Sequence, residues 1–530
     1  MLRLRAVLTA LLALLGAPLA AREAVDASAP QQVAVTIYRD PDGGAFDRND
    51  PRGFAMISET RTVTLPPGES TIRFTGVAEG MIAVSAIVTG LPGGKIEKNR
   101  NAALLSPAAL VDGTLGNRVT ITRTNPATGT EQSERAIVRT RADGGIVLQT
   151  SQGYEAVRCA GLPERLSFDG VPPGLSSQPV FSIDTSDATG GTYQVRLTYL
   201  AWGFDWQAHY VATLAEGGAK GRKQMRMLSW LTLVNDNGQS FENAELLVVA
   251  GTLNVESDFE QLAAPPRGEP LRLECWPIGS TATGTYPEPY PAPPPMPPAM
   301  ADMITVTGAR MQRESFEAAS PVAVLAGEEN LGDLKLFRVP EPITVNAKGL
   351  KQVAFLARDE VRGEFIYKAD CALYRPLEPD EAFGPARLFF RTDNESRNGL
   401  GVSLPRGGVT VFEPSSYGDL LIGEDGIRDY AVGQEVEFGL GASTKVFAQC
   451  GLTGAIEKAG AQKSDWQEMR AVLTNAGSES ATVRLEIGSA LDWQVRPVRG
   501  LELKDGGQVI VVKVKPGEAA EQRFWIRHND

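Results

Sequence analysis

The chain reads as an all-β protein, built from several serial antiparallel β-sandwich and small-barrel modules with a Pro-rich loop, after an N-terminal signal peptide. Three observations predict this. Apolar residues recur with a period of two over most of the chain, as in Val33, Val35 and Ile37 alternating with Ala34, Thr36 and Tyr38. Glycine (55) and proline (35) are both abundant, which favours many turns and few long helices. The chain has 530 residues, whereas one core stops growing at roughly 250–300, so several packed units are expected.

The first element is a secretory signal over residues 1–20. Arg3 and Arg5 make a positive start, Ala6 to Leu15 an apolar stretch, and Gly16, Ala17, Ala20 and Ala21 supply small residues around a cleavage point after Ala20 or Ala21. The apolar stretch is shorter than the ~20 residues a bilayer span requires, and no later segment reaches that length. The expectation is an exported protein of a Gram-negative bacterium, periplasmic or associated with the outer membrane, without a transmembrane span.

An N-terminal β module follows at 30–98. Thr62–Leu65 and Ser70–Phe74 flank the turn Pro66-Pro67-Gly68-Glu69, in which proline presets φ and glycine accepts a positive one. Residues 100–177 carry short, closely spaced strands at Val119–Thr124, Arg135–Thr140 and Ile146–Thr150, the spacing of a small barrel. The main domain is expected at 178–455. Its densest aromatic run is Tyr193–Leu200 continuing into Trp202–Tyr210. Leu228–Val234, Asn235-Asp236-Asn237-Gly238 and Ala244–Ala250 then read as a hairpin. A loop at 263–320 interrupts this domain. Its tract Pro287-Glu288-Pro289-Tyr290-Pro291-Ala292-Pro293-Pro294-Pro295 suits extended polyproline rather than a ladder. Strand patterns resume at Leu334–Val339, and 460–530 reads as an Ig-like sandwich with turns at Asn475-Ala476-Gly477 and Pro516-Gly517.

The net charge of −12 argues against nucleic acid or anionic membrane surfaces as main partners. Cys159, Cys275, Cys371 and Cys450 are too widely spaced for a metal knuckle. In an oxidising compartment they allow disulfides, with Cys371–Cys450 the preferred pair and buried free thiols the alternative. With only two histidines, His209 and His528, and no HExxH, a histidine metal site is excluded. Neither GxSxG nor GxxxxGK[ST] occurs. The expectation is therefore a non-enzyme with no cofactor. Trp202, Trp206, His209, Tyr210 and Trp230 form a candidate aromatic patch with Asp205, Glu242 and Glu245 nearby. Carboxylates beside tryptophans suit glycan binding or cleavage, while aromatic side chains in strands also suit a sandwich core.

The segments Trp202–Tyr210, Leu231-Thr232-Leu233-Val234-Asn235-Asp236 and Leu246–Gly251 resemble the bacterial family called "domain of unknown function 4139", the mucoidy-inhibitor-A-like proteins. Phe337-Arg338-Val339-Pro340, Asn398-Gly399-Leu400-Gly401, Leu404-Pro405-Arg406-Gly407, Gly423-Glu424-Asp425, Trp493 and Pro516-Gly517 extend the likeness over residues 180–530, with a weaker match at 33–90. The resemblance implies an envelope β-sheet protein without an assigned activity. Many relatives carry a coiled coil between the N-terminal module and the main domain. This chain has no heptads there, so oligomerisation through a coil is not carried over.

Ile304, Thr305, Val306, Thr307, Gly308, Ala309 and Arg310, just after the proline tract, resemble the TonB-box sequences of outer-membrane receptors. An extended β-branched peptide there suits addition to a partner's sheet edge. The functional expectation is a scaffold or interaction protein that binds another envelope protein or a glycan through an exposed loop or sheet edge. A purely structural role in polysaccharide export or surface regulation is the other reading.

Overall fold

The computed structural model describes residues 22–92, 95–101, 105–141, 146–157, 164–172, 175–215, 223–251, 253–263, 325–378, 382–454 and 466–529. Strands make up 64% of the described residues and helix 3%, far above the roughly 20–25% strand of ordinary domains. The all-β expectation holds. The signal segment, 304–310, nearly all of the loop at 263–320, Cys159 and Cys275 lie outside the described residues.

The chain divides into two compact units, each assembled from three stretches of sequence: 1–32, 58–201 and 258–323 in the first, 33–57, 202–257 and 324–530 in the second. In the first unit, one sheet has the order β1 (Glu23–Asp26), β4 (Gly68–Thr75), β12 (Val180–Asp187), β6 (Lys95–Asn101). A second runs β3 (Phe54–Leu65, here from Ser58), β13 (Gly191–Trp202), β5 (Met81–Thr89). Val63, Ile72, Phe74, Phe181, Ile183, Val195 and Leu197 are buried in this unit. The domain boundary expected at 178 therefore does not separate sheets. β12 and β13 pair with strands of the N-terminal module, because their apolar faces complete its core.

A third sheet contains β7 (Arg118–Thr124), β8 (Glu131–Val138), β9 (Val147–Thr150), β10 (Gly153–Ala156) and β11 (Glu164–Ser167), in the order β10-β9-β8-β7-β11. The small barrel expected at 100–177 is corrected by this order. β10 and β11 are opposite edges and no pairing joins them among the described residues. A short helix, α1 (Pro107–Gly113), covers the sheet, capped by Ser106, whose Oγ accepts from the Ala109 N–H at 3.1 Å. Ala108 and Val111 of α1 join Val119, Ile121, Val138 and Leu148 in one core.

In the second unit, β17 (Gly327–Leu331), β18 (Leu334–Arg338), β16 (Phe241–Ala250) and β2 (Gln32–Tyr38) are neighbours in that order, with β19 (Ile343–Val345) also on β16. A short helix, α2 (Phe259–Ala263), belongs to the first unit. The largest sheet has 14 strands. Its first part contains β24 (Gly418–Ile427), β23 (Gly407–Ser415), β14 (Phe204–Ala215), β15 (Lys223–Asn235), β20 (Gly349–Asp370), β22 (Gly384–Asp393) and β25 (Glu435–Leu452).

β20 and β25 are long enough to serve two layers. The first half of β20 pairs with β15 and its end with β27 (Ala481–Ser489). The start of β25 pairs with β22 and its end with β26 (Gln467–Asn475), which continues to β31 (Ala519–His528) and β28 (Trp493–Val495). β30 (Gly507–Val514) joins β27 to β29 (Leu501–Lys504), and β21 (Ala372–Pro376) lies on β25. The resulting sandwich closes over Val446, Met469, Leu473, Val483, Leu485, Ile510, Phe524 and Ile526. The module expected at 460–530 is thus completed by β20, β21 and β25 from earlier in the chain. Cys371 and Cys450 are joined in a disulfide at the edge of this core, the pairing preferred from sequence.

The turn Asn235-Asp236-Asn237-Gly238 also corrects an expectation. β15 and β16 belong to different sheets, so this is an arch and not a hairpin. Asn235 makes the crossing: its Oδ1 accepts from the Asn237 N–H at 3.0 Å and its Nδ2 donates to Gln239 O at 2.9 Å. Asn475 repeats the device between β26 and β27, accepting from the Gly477 N–H at 2.9 Å and donating to Glu479 O at 2.8 Å.

Candidate functional site

The aromatic run divides between the two faces of β14, because successive side chains of a strand point in opposite directions. Trp206 and Tyr210 face inward and are 1% and 0% exposed. The Trp206 Nε1–H donates to Val249 O at 3.1 Å, and the Tyr210 hydroxyl donates to Pro405 O at 2.6 Å. Burial holds the Tyr210 hydroxyl well above its ordinary pKa. His209 and Trp230 lie directly opposite one another in the β14–β15 register, on the other face, and both are half-buried. His209 Nε2 lies 3.3 Å from Thr410 Oγ1. Trp202, half-buried, ends β13, where its carbonyl accepts from Asn237 Nδ2 at 3.0 Å. The five residues therefore do not make one continuous patch.

Of the three acids considered from sequence, Glu242 and Glu245 are exposed on β16, and only Asp205 enters a cavity. That cavity, about 380 Å³, lies between the loop 40–46, the start of β14 and the Arg406-Gly407 approach to β23. The loop is held by its own side chains. Asp40 accepts from the backbone N–H groups of Asp42 and Gly44, both at 2.9 Å. Arg406 donates to Gly43 O at 2.8 Å and Gly44 O at 3.1 Å. Arg39 lies with its guanidinium 4.0 Å from the centre of the Trp206 ring, bonded to Asp429 at 3.0 Å and to Arg406 O at 3.0 Å.

Asp205 is 3% exposed, and loss of water raises its carboxyl from 3.8 to about 6. The backbone N–H groups of Trp206 and Asp40 partly offset this, the negative Asp40 adds to the rise, and Arg39 lowers it. The cavity thus contains a carboxyl that changes charge near pH 6, within a frame of charged groups already bonded to the fold. Arg39, Asp40 and Asp429 were not singled out from sequence, and Arg406 entered only as part of the Leu404-Pro405-Arg406-Gly407 motif. The available signals were the Asp40-Pro41-Asp42-Gly43-Gly44 turn and the Pro405-Arg406-Gly407 sequence. Among the described residues no group of three or more His, Cys, Asp or Glu side chains is placed to hold a metal ion.

A separate feature of the second unit is the hairpin of β23 and β24. β24 ends the path of the large sheet and has β23 as its ladder partner. Tyr417 at the tip is 92% exposed, and Leu420 and Leu421 are 51% and 56% exposed. The second half of β24 packs on β25, with Asp425 accepting from the Gly439 N–H, so the open part is the tip-side half, where exposed apolar side chains at a sheet edge suit a further strand. β17, the first described strand after the proline tract, is exposed along its whole length and pairs with β18.

No protein-family model matches this chain, and no curated protein sequence matches it.

Proposed function

We propose that this is a non-enzymatic, exported cell-envelope protein that binds another envelope protein through an exposed sheet edge, with the β23–β24 hairpin as its docking element. The observation that carries the reading is the exposed Leu420 and Leu421 on a terminal strand of the large sheet, with Tyr417 exposed in the turn before it. The signal-like residues 1–20 support export, and the resemblance of several motifs to the mucoidy-inhibitor-A-like proteins supports an envelope role. Strand addition at 304–310 belongs to the same proposal, with a TonB-like protein as its partner. A glycan site at Trp202–Tyr210 is less well supported, since Trp206 and Tyr210 are closed to a sugar ring.

Photo-crosslinking in intact cells tests the reading. A photo-reactive residue at Leu420 or Val306 is expected to trap one defined envelope protein. The same group at Leu491, a loop residue 85% exposed, is expected to trap none. Replacing Leu421 with lysine is expected to remove the Leu420 adduct. Adducts equally abundant at all three positions, or at none, would overturn the proposal.

A further inference from the structure

The outer face of the C-terminal sheet carries a second feature, independent of the hairpin. Met469, Phe524 and Ile526 point into the sandwich core. Alternation therefore turns Glu468 and Arg470 of β26, and Arg523, Trp525 and Arg527 of β31, to the opposite face. The register sets Glu468 against Trp525, Arg470 against Arg523 and Arg527 against Gln494. Trp466 immediately precedes β26. Arg496 immediately follows β28, its N–H donating to Trp525 O at 3.0 Å.

These side chains stack. The Arg496 guanidinium lies 4.6 Å from the Trp466 ring centre and 5.2 Å from that of Trp525, and Arg527 lies 4.9 Å from Trp466. The neighbouring arginines are neutralised, Arg470 by Glu521 at 2.9 Å, and Arg523 by Glu521 at 2.7 Å and Glu468 at 3.8 Å. Arg496 and Arg527 have no carboxylate within ion-pair distance among the described residues, and Arg527 donates to Gln494. In a chain with 64 acids and 52 bases, two adjacent cations that pair with no carboxylate among the described residues mark a local exception. Stacking occupies the flat faces of a guanidinium and fixes its orientation, leaving the N–H edge, apart from the Arg527 group given to Gln494, for a planar oxyanion.

We propose that Arg496 and Arg527, held in place by Trp466 and Trp525, bind the carboxylates of an acidic polysaccharide. The site is an open strip on a sheet face, so it suits a polymer laid along it better than an enclosed small anion. Trp525 remains 39% exposed and offers an apolar surface to a sugar ring beside the charged fork. An anionic bilayer would face the whole acidic surface of a chain with net charge −12, whereas a polymer strand meets only the strip.

Affinity electrophoresis of the full chain through gels containing polygalacturonate tests this, with neutral dextran gels and phosphatidylglycerol vesicle flotation as parallel arms. Retardation by polygalacturonate, weakened by salt and absent with dextran, is expected. The double variant Arg496→Ala/Arg527→Ala is expected to bind at least about tenfold more weakly, since the oriented forks are lost. Arg496→Lys/Arg527→Lys, which keeps the charge and disturbs the fold less, is also expected to bind more weakly than the parent. Arg470→Ala, removing a paired arginine of the same face, is expected to bind as the parent does. No retardation of the parent, binding as tight as the parent's by both double variants, an equal loss in Arg470→Ala, or binding to vesicles without binding to polygalacturonate would each overturn the proposal.

Discussion

Glu59 and Arg61, each 1% exposed, illustrate how this chain buries charge. Arg61 Nε donates to Glu59 at 2.8 Å and Nη1 to Thr75 O at 2.9 Å, while the Tyr199 hydroxyl donates to the other Glu59 oxygen at 3.0 Å. Burial and the Glu59 charge hold Tyr199 well above its ordinary pKa. Removing one member of such a group leaves the others uncompensated, which typically costs about 3–5 kcal/mol. Asp205 is different because its charge is opposed rather than matched. Its folded pKa, about 6, lies above the ordinary 3.8, so the folded state holds the proton more tightly. The stability from this proton is fully present below pH 3.8 and is lost as pH rises through about 6, a change of roughly 3 kcal/mol. Asp205→Asn removes that dependence. Its melting temperature relative to the parent is expected to rise between pH 4 and pH 7, and calorimetry across that range checks the sign. Asp205 was visible in the sequence as an acid among aromatics. Its environment was not, because Arg39 and Asp40 reach it from more than 160 residues away.

The elements were legible where apolar alternation was clean, as in β13, β15, β26 and β31, and their partners were not. A period of two states which face of a strand is buried without stating which strand lies beside it. Asn235-Asp236-Asn237-Gly238 has the composition of a hairpin turn. The buried Asn235 side chain instead spans an arch, with a bond to Asn346 O at 3.1 Å that no local pattern announces. Gly407 shows the same dependence on a distant neighbour. A Cβ there would lie 1.9 Å from Ala208 O, directly across the β14–β23 ladder. Gly407→Ala is therefore expected to cost more than about 2 kcal/mol by forcing the strands apart. Urea unfolding measures that loss. Faster hydrogen exchange in β23 and β24, with β27 and β30 little changed, would locate it.

At the scale of the molecule, neither compact unit is a continuous stretch of chain. Module boundaries inferred from composition and turns thus mark where the chain pauses rather than where a core ends. The sandwich at the C-terminus makes this testable, since β26 depends on β25 and β27 on β20. An isolated fragment 460–530 is expected to be unfolded by circular dichroism. A native-like spectrum with a cooperative melt would show that those added strands are dispensable. The sequence by itself determined the all-β class, the faces of most strands and the preference for Cys371–Cys450, because these follow from local periodicity, turn chemistry and strand placement. Tertiary structure alone decided the open five-stranded sheet, the arches, the environment of Asp205 and the stacked arginines. Each depends on long-range pairing, and that is chosen by which apolar faces fit together across hundreds of residues rather than by any neighbouring sequence.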